Sequence, residues 1–495
     1  MNSASREEPQ MVAEQAVLDQ VRKDLYIGGQ WRPASGGETL PVEDPATGQA
    51  LVEVADATPE DALAALGAAA EAQAAWAATA PRERGEILRR AYELLLVRAE
   101  ELALVMTLEM GKALGESRAE LTYAAEFLRW FSEEAVRVHG RYMTNTTGAG
   151  RILTMRQPVG PCVFVTPWNF PTAMGTRKIA PAIAAGCTMV VKPAQQTPLS
   201  MLALASLLEE AGLPGGVLNV ITARHAGAVI EPLLKDPRTR KLSFTGSTEV
   251  GRTLIAQSAG QILRVSMELG GNAPFIVFED ADLDAAVEGA LVAKLRNVGE
   301  ACTAANRFHV HETIAGEFAR RMAERMESLK TGRGTEPGVD LGPLIDDRQR
   351  GIVEELVRDA LDNGAELLCG GERVPGPGYF YKPTVLAGVP AGARVLREEV
   401  FGPVAPIASF STEEEAVQAA NATEYGLVAY LYTRDLARTL RLSEAIEAGM
   451  VGVNQGIVSN PAAPFGGVKQ SGFGREGGFE GIGEYLETKY VALSV

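Results

Sequence analysis

The segment CVFVTPWNFPTAMGTRKIAPAIAAGCTMVVKPA, Cys162 to Ala194, decides how the fold is read. It opens with a short apolar, β-prone run, CVFV. Pro171 then stands where the first turn of a helix accepts a proline, and a second apolar run, CTMVVKP, follows that helix. The alternation continues outward through a helix from Ser200, the run VLNVIT, another helix, and KLSFTG. Strands and helices in strict turn predict a parallel sheet wound with helices.

Upstream, from about 61 to 141, the chain is rich in Ala, Leu and Glu and reads as packed helices. Downstream, a second α/β unit is expected from near Gly270, with APFIVF, a helix through AAVEGALVAKLRN, the strand NRFHVH and a long helix from about Glu312. Two stretches fit neither layer. GRYMTNTTGAGRILTMRQPVG looks like a polar hairpin, and EYLETKYVALSV ends as a strand. Exposed strands need a partner, so oligomerisation is expected.

With 495 residues, 46% hydrophobic and 22% charged, the composition is that of a globular chain of two or three domains. The formal charge of -16, with no compact basic run, argues against nucleic acid or an anionic membrane as partner. The N-terminal MNSASREEPQMVAEQ is acidic and lacks an apolar core, so it reads as a short mobile leader rather than a signal. Four widely spaced cysteines, Cys162, Cys187, Cys302 and Cys369, without a C-x-x-C, fit a reducing cytoplasm and no metal centre.

Near the end of the chain, QSGFGREGG holds a literal G-x-G-x-x-G at Gly472, Gly474 and Gly477. A dinucleotide fingerprint needs a strand before it, a helix after it and an acidic residue some 20 positions on. Here a loop precedes it and the acidic partner is missing, so the stretch is expected to be a flexible glycine loop. KLSFTGSTEVG offers a better phosphate site, because its strand runs directly into Gly246, Ser247 and a helix start.

Cys302, in RNVGEACTAANRF, falls on a loop between helix and strand, and reads either as an inert thiol or as a nucleophile. None of the four histidines forms a pairing motif with it, which leaves a carboxylate as the base. Glu268, at the end of the strand RVSME and before Gly270 and Gly271, is the candidate, unless it is simply solvated. Asn169, just past the strand CVFV, either donates to an oxyanion or caps the next helix.

The ordered motifs TPWNFP, KPAQQTP, FTGSTEVG, MELGGN, GEACTAANR, EEVFGPV and PFGGVKQSG resemble the NAD(P)-dependent aldehyde dehydrogenase superfamily from about Leu25 onward. AEFLRWFSEEAVRVHGR, AMGTRK and EYLETKY are similar to its succinate-semialdehyde dehydrogenases. The resemblance implies two wound parallel-sheet domains plus a small β oligomerisation element. Its boundaries are an extension at 1–23, a cofactor-binding domain at 24–138 and 159–269, a catalytic domain at 270–479, and the oligomerisation element at 139–158 and 480–495. A homodimer or homotetramer is implied.

By the same resemblance, Cys302 attacks the aldehyde to give a thiohemiacetal, Asn169 and the Cys302 N–H hold its oxyanion, Glu268 hydrolyses the thioester, and Lys178 is a supporting charge. Thr166, Trp168, Lys192 and Gln195 serve the adenosine side, Gly246 and Ser247 the pyrophosphate, and Leu269, Glu399 and Phe401 the nicotinamide end. Arg177, Arg296 and Ser459 take the distal carboxylate of succinic semialdehyde.

Gln195 departs from the glutamate of NAD-preferring relatives, so NADP is expected, with NAD still accepted. Glu300 and the pair Thr303–Ala304 also depart from close relatives. Glu300 would disfavour the thiolate if it pointed inward. Glutarate semialdehyde is the nearest alternative substrate. A cofactor-independent thiol esterase and a non-catalytic binding protein are the readings of other classes.

Overall fold

The computed structural model describes residues 13–494. The predicted α/β architecture is present as two wound sheets. The first runs, edge to edge, through Gly472–Phe473, Arg264–Glu268, Lys241–Thr245, Cys162–Val165, Met189–Lys192, Leu218–Val220, Leu25–Ile27 and Gln30–Arg32. Its five central strands are parallel, and the N-terminal hairpin and Gly472–Phe473 close it antiparallel. The second sheet has seven strands, six of them parallel, centred on Ala273–Val277 and Ala305–His311.

The helix Pro171–Ala185, every residue of which is buried, connects the strands Cys162–Val165 and Met189–Lys192. It starts on Pro171 and ends at Gly186, whose φ of 93° suits only glycine comfortably. Phe170 gives it no side-chain cap. Instead the Glu120 carboxylate, from the helix Leu114–Glu134, accepts the N–H groups of Thr172 and Ala173 at 2.9 and 3.1 Å. The next helix begins at Pro198, slightly ahead of the expected Ser200, and is capped the same way by Glu109, which accepts Leu199 N–H and Ser200 N–H. Such long-range caps replace the local Ser, Thr or Asp that a sequence scan looks for.

Two details correct the reading of the sequence, and a third agrees with it. The glycine stretch is pinned rather than flexible: Gly472 and Phe473 pair with Glu268 and Met267, and a Cβ at Gly472 would collide with the Met267 carbonyl. Residues 13–20 form a helix that buries Leu18, so this part of the leader is ordered; residues 1–12 lie outside the described residues. Leu486–Leu493 pairs along its whole length with Arg151–Pro158, which in turn pairs with Arg141–Thr144, so hairpin and tail form one three-stranded sheet. Among the described residues no helix is long and apolar enough to cross a membrane.

Candidate active site

The carboxyl edge of the first sheet faces the loop that precedes Ala305–His311, and a cavity of about 300 Å³ opens between them. Ligands of wound sheets gather at such carboxyl edges. The strand ending at Glu268 and the loop carrying Cys302 both reach this cavity, together with Asn169, Arg177, Glu399 and Phe401.

Cys302 is partly exposed and held by its neighbours' backbone. Tyr430 Oη donates to the Thr303 carbonyl at 2.9 Å, and only a glycine fits at 271, where a Cβ would come within 2.6 Å of the Cys302 carbonyl. Just upstream, Asn297 and Val298 have left-handed φ values of 55° and 58°. For a β-branched valine this is strained backbone, a feature that clusters at functional sites. Burial pushes the Cys302 thiol up to about 12; Arg177 opposes the rise, while Glu268 and Glu399 add to it. The resting site therefore holds a thiol.

Glu268 is buried, and its Oε2 has no hydrogen-bond partner. Burial, then the Glu476 carboxylate, drive its pKa well above the usual range against the pull of Arg177 and Lys178. Glu476 behaves oppositely: burial works against its charge, but Lys178 and Arg177 more than offset this and keep it ionised. Two neighbouring carboxyls pushed apart in this way divide into one proton carrier and one fixed charge. Lys178 Nζ donates to Glu476 Oε1 at 2.6 Å and to Ser243 Oγ at 2.9 Å, so it is the hydrogen-bonded counter-ion of Glu476 as well as a charge felt by Glu268. Glu476 escaped the sequence reading although it sits inside GREGG; a lone carboxylate among glycines was the available signal.

Asn169 Nδ2 gives one hydrogen to the Glu300 carbonyl at 3.0 Å, and its Oδ1 accepts Phe170 N–H. An amide nitrogen carries two hydrogens, so one is left for the cavity that Asn169 lines. Asn169 thus does not cap the helix; Glu120 does. The Glu300 side chain turns away from Cys302: its Oε1 accepts Ile345 N–H at 3.1 Å, and burial raises its pKa well above the carboxylate range.

A dinucleotide fits the groove on this structure's own terms. The buried Thr166 and Thr245 hydroxyls lack partners, and the helix Thr248–Ser258 opens its N-terminus beside Gly246. Glu399, whose burial lifts it to about 7, accepts Gly271 N–H at 3.1 Å, and Phe401 packs edge-on to Trp168 at 5.5 Å. Leu269 lines the same cavity. Ser247 is partly engaged, since its Oγ accepts Val250 N–H as a helix cap. Lys192 is buried, which lowers it to about 8. Exposed Gln195 lines a separate cavity of about 260 Å³ with Arg224, Glu43 and Asp346.

At the substrate end, Arg177 is fully buried against the Phe465 ring at 3.8 Å, and its Nη2 lies 2.7 Å from Glu476 Oε2. The contact is misaligned: neither Nε nor Nη2 makes a hydrogen bond. Arg296 donates to Ser459 Oγ at 3.4 Å and stacks over Phe170 at 4.7 Å. Tyr123, missed in the sequence, lies among Arg177, Arg296 and Ser459. The three expected carboxylate ligands are thus gathered, but Arg177 already faces an internal anion.

A model described as the aldehyde dehydrogenase family matches residues 31–491. A succinate-semialdehyde dehydrogenase of Paenarthrobacter nicotinovorans is 61% identical over 444 residues, spanning 90% of this chain and 99% of that protein. A glutarate-semialdehyde dehydrogenase of Pseudomonas putida is 48% identical over 474 residues, spanning 96% and 98%. The crystal structure of an NADP-dependent enzyme of Escherichia coli superposes with a TM-score of 0.95 at 49% identity, covering 97% of this chain and 99% of that one.

Proposed function

This chain belongs to the aldehyde dehydrogenase family, and on that footing we propose that it oxidises succinic semialdehyde to succinate with NADP, NAD being accepted. One observation carries the substrate: Arg177, whose Nε has no hydrogen-bond partner, lines the Cys302 cavity with Arg296, Ser459 and Tyr123 gathered beside it. A distal carboxylate satisfies them, and a guanidinium fork suits its geometry. The name carried by the 61% identical relative supports the same substrate.

The Cys302 thiol gives up its proton to solvent as its sulfur adds to the carbonyl carbon, and the Asn169 amide and the Cys302 N–H stabilise the oxygen that becomes negative. A bound NADP would supply the acceptor for the hydride that leaves this carbon. Glu268 takes a proton from the water that then cleaves the thioester, freeing succinate and the thiol. Thr166, Trp168, Lys192 and Gln195 would hold the adenosine portion, Gly246 and Ser247 the pyrophosphate, and Leu269, Glu399 and Phe401 the nicotinamide riboside. Lys178 acts as the counter-ion of Glu476.

The proposed division of labour gives cofactor binding to the first sheet, at 24–138 and 159–269, and the nucleophile to residues 270–479. Segments 139–158 and 480–495 self-associate as a dimer or tetramer, through a sheet that exposes Tyr142, Met143 and Tyr490. A cytoplasmic setting accords with four free thiols.

The test compares initial rates on succinic semialdehyde, glutarate semialdehyde and butanal. In Arg296→Met, kcat/KM for succinic semialdehyde is expected to fall about 100-fold while butanal changes less than about threefold, since a charged hydrogen bond to a carboxylate is lost only with the former. Equal losses on both would sink the carboxylate assignment. One methylene is worth only about 1–3 kcal/mol, so a reversed preference between the two semialdehydes would move the reading to the glutarate branch.

Cofactor choice has its own expectation. Gln195→Glu places a carboxylate where the 2′-phosphate is to lie, and kcat/KM with NADP should drop at least about tenfold while NAD is retained or improved. A ratio unchanged by the substitution would remove Gln195 from cofactor selection.

A further inference from the structure

The strongest unassigned feature is a fully buried ion pair at the foot of Asn169. Lys112 follows the helix Ala99–Met110, and its side chain and that of Glu120 are both wholly inaccessible. Lys112 Nζ donates to Glu120 Oε2 at 2.6 Å and to the Asn169 carbonyl at 2.7 Å, above the Phe170 ring at 4.4 Å. The other oxygen of Glu120 holds Thr172 N–H and Ala173 N–H, the first turn of the helix that Asn169 precedes.

A second buried side chain converges there. Asn297 Nδ2 donates to the Asn169 carbonyl at 3.0 Å and to the Glu300 carbonyl at 2.9 Å, the same oxygen that receives the Asn169 amide. The backbone and side chain of Asn169 are therefore tied by three donors to two elements: the helix start and the loop that leads to Cys302. The loop bearing Lys112 is also fixed to the far half of the molecule, because Leu114 N–H donates to the Gly334 carbonyl at 3.0 Å.

A buried ion pair is a poor way to gain stability, since the desolvation of both charges consumes most of the attraction. What it supplies is direction. Hydrogen-bond donors aimed at a developing oxyanion act only when held within a fraction of an ångström. We propose that Lys112 and Glu120 are positioning residues for the oxyanion donor, clamping the Asn169 backbone so that the free hydrogen of its amide points at the oxygen of the carbonyl that Cys302 attacks. The proposal rests on Asn169 being that donor.

The full-length protein is assayed as Lys112→Met, Asn169→Ala and the double variant, with kcat and KM for succinic semialdehyde and an unfolding midpoint for each. Lys112→Met is expected to lower kcat about 10- to 100-fold, as small misplacements do, with KM within about threefold. In the Asn169→Ala background the same change is expected to cost less than about twofold, because residues acting as one unit are not additive. Equal losses in both backgrounds, or a folded Lys112→Met with unaltered kcat, would overturn the clamp. If Asn169→Ala itself keeps kcat, the oxyanion assignment falls first and the clamp with it. Should Lys112→Met not fold, Glu120→Gln is put through the same cycle and judged by the same criterion.

Discussion

Cys302→Ser is expected to lower kcat with succinic semialdehyde by at least about 10⁴-fold, the scale on which loss of a nucleophile is felt. The substitution is nearly isosteric and the side chain borders a cavity, so the unfolding midpoint should stay within about 1–2 °C. No second thiol stands in, for Cys162, Cys187 and Cys369 are buried elsewhere. The wild-type pH profile gives an independent check. Burial holds the thiol up to about 12, and the thiolate is the form that attacks, so acylation should rise with pH from about 6 to 9. A flat profile over that range, measured in single turnover, would mean that the proton has already left the sulfur.

Glu268→Gln is expected to separate the two halves of the reaction. The amide retains the volume of the carboxyl but cannot accept a proton, so thioester formation proceeds while its hydrolysis stalls. Rapid mixing should show a burst of about one equivalent of reduced nicotinamide per active site, then a steady state about 10²–10⁴-fold below wild type. Because Glu268 is raised well above the usual carboxyl range by burial and by Glu476, it is protonated at low pH and acts as a base only as pH rises. Wild-type turnover should accordingly fall on acidification, whereas the variant's residual rate should lack that acid limb. A variant that loses the burst as well would place Glu268 ahead of the thioester, in activating Cys302.

Much of this site was legible because its residues fall at strand ends. Asn169, Gly246 and Glu268 each follow an apolar run whose place in a parallel sheet the alternation reveals. What escaped is what tertiary structure alone decides. The Glu476 carboxylate reaches Lys178 across 298 positions of chain, and nothing local marks it. The caps supplied by Glu120 and Glu109 belong to helices distant in sequence from those they start. The direction of Glu300 was open because it depends on Ile345 N–H. That the partner of Arg177 is the buried Glu476 likewise depends on a contact between segments far apart in sequence.

The edge strand Gly472–Phe473 bears on how the chain matures. It completes a sheet whose opposite border is made by Gln30–Arg32, and nearby Trp130 donates to the Gly478 carbonyl across 348 residues. At ribosomal speeds of about 5–20 residues per second, that separation corresponds to roughly tens of seconds of synthesis. From the synthesis of Glu268 until that of Gly472 the strand bearing Glu268 has an open border, and Lys178 lacks its anion. The N-terminal half cannot reach its final state as an autonomous unit. Its bare strand edge is the surface at which wrong pairing between nascent chains would begin.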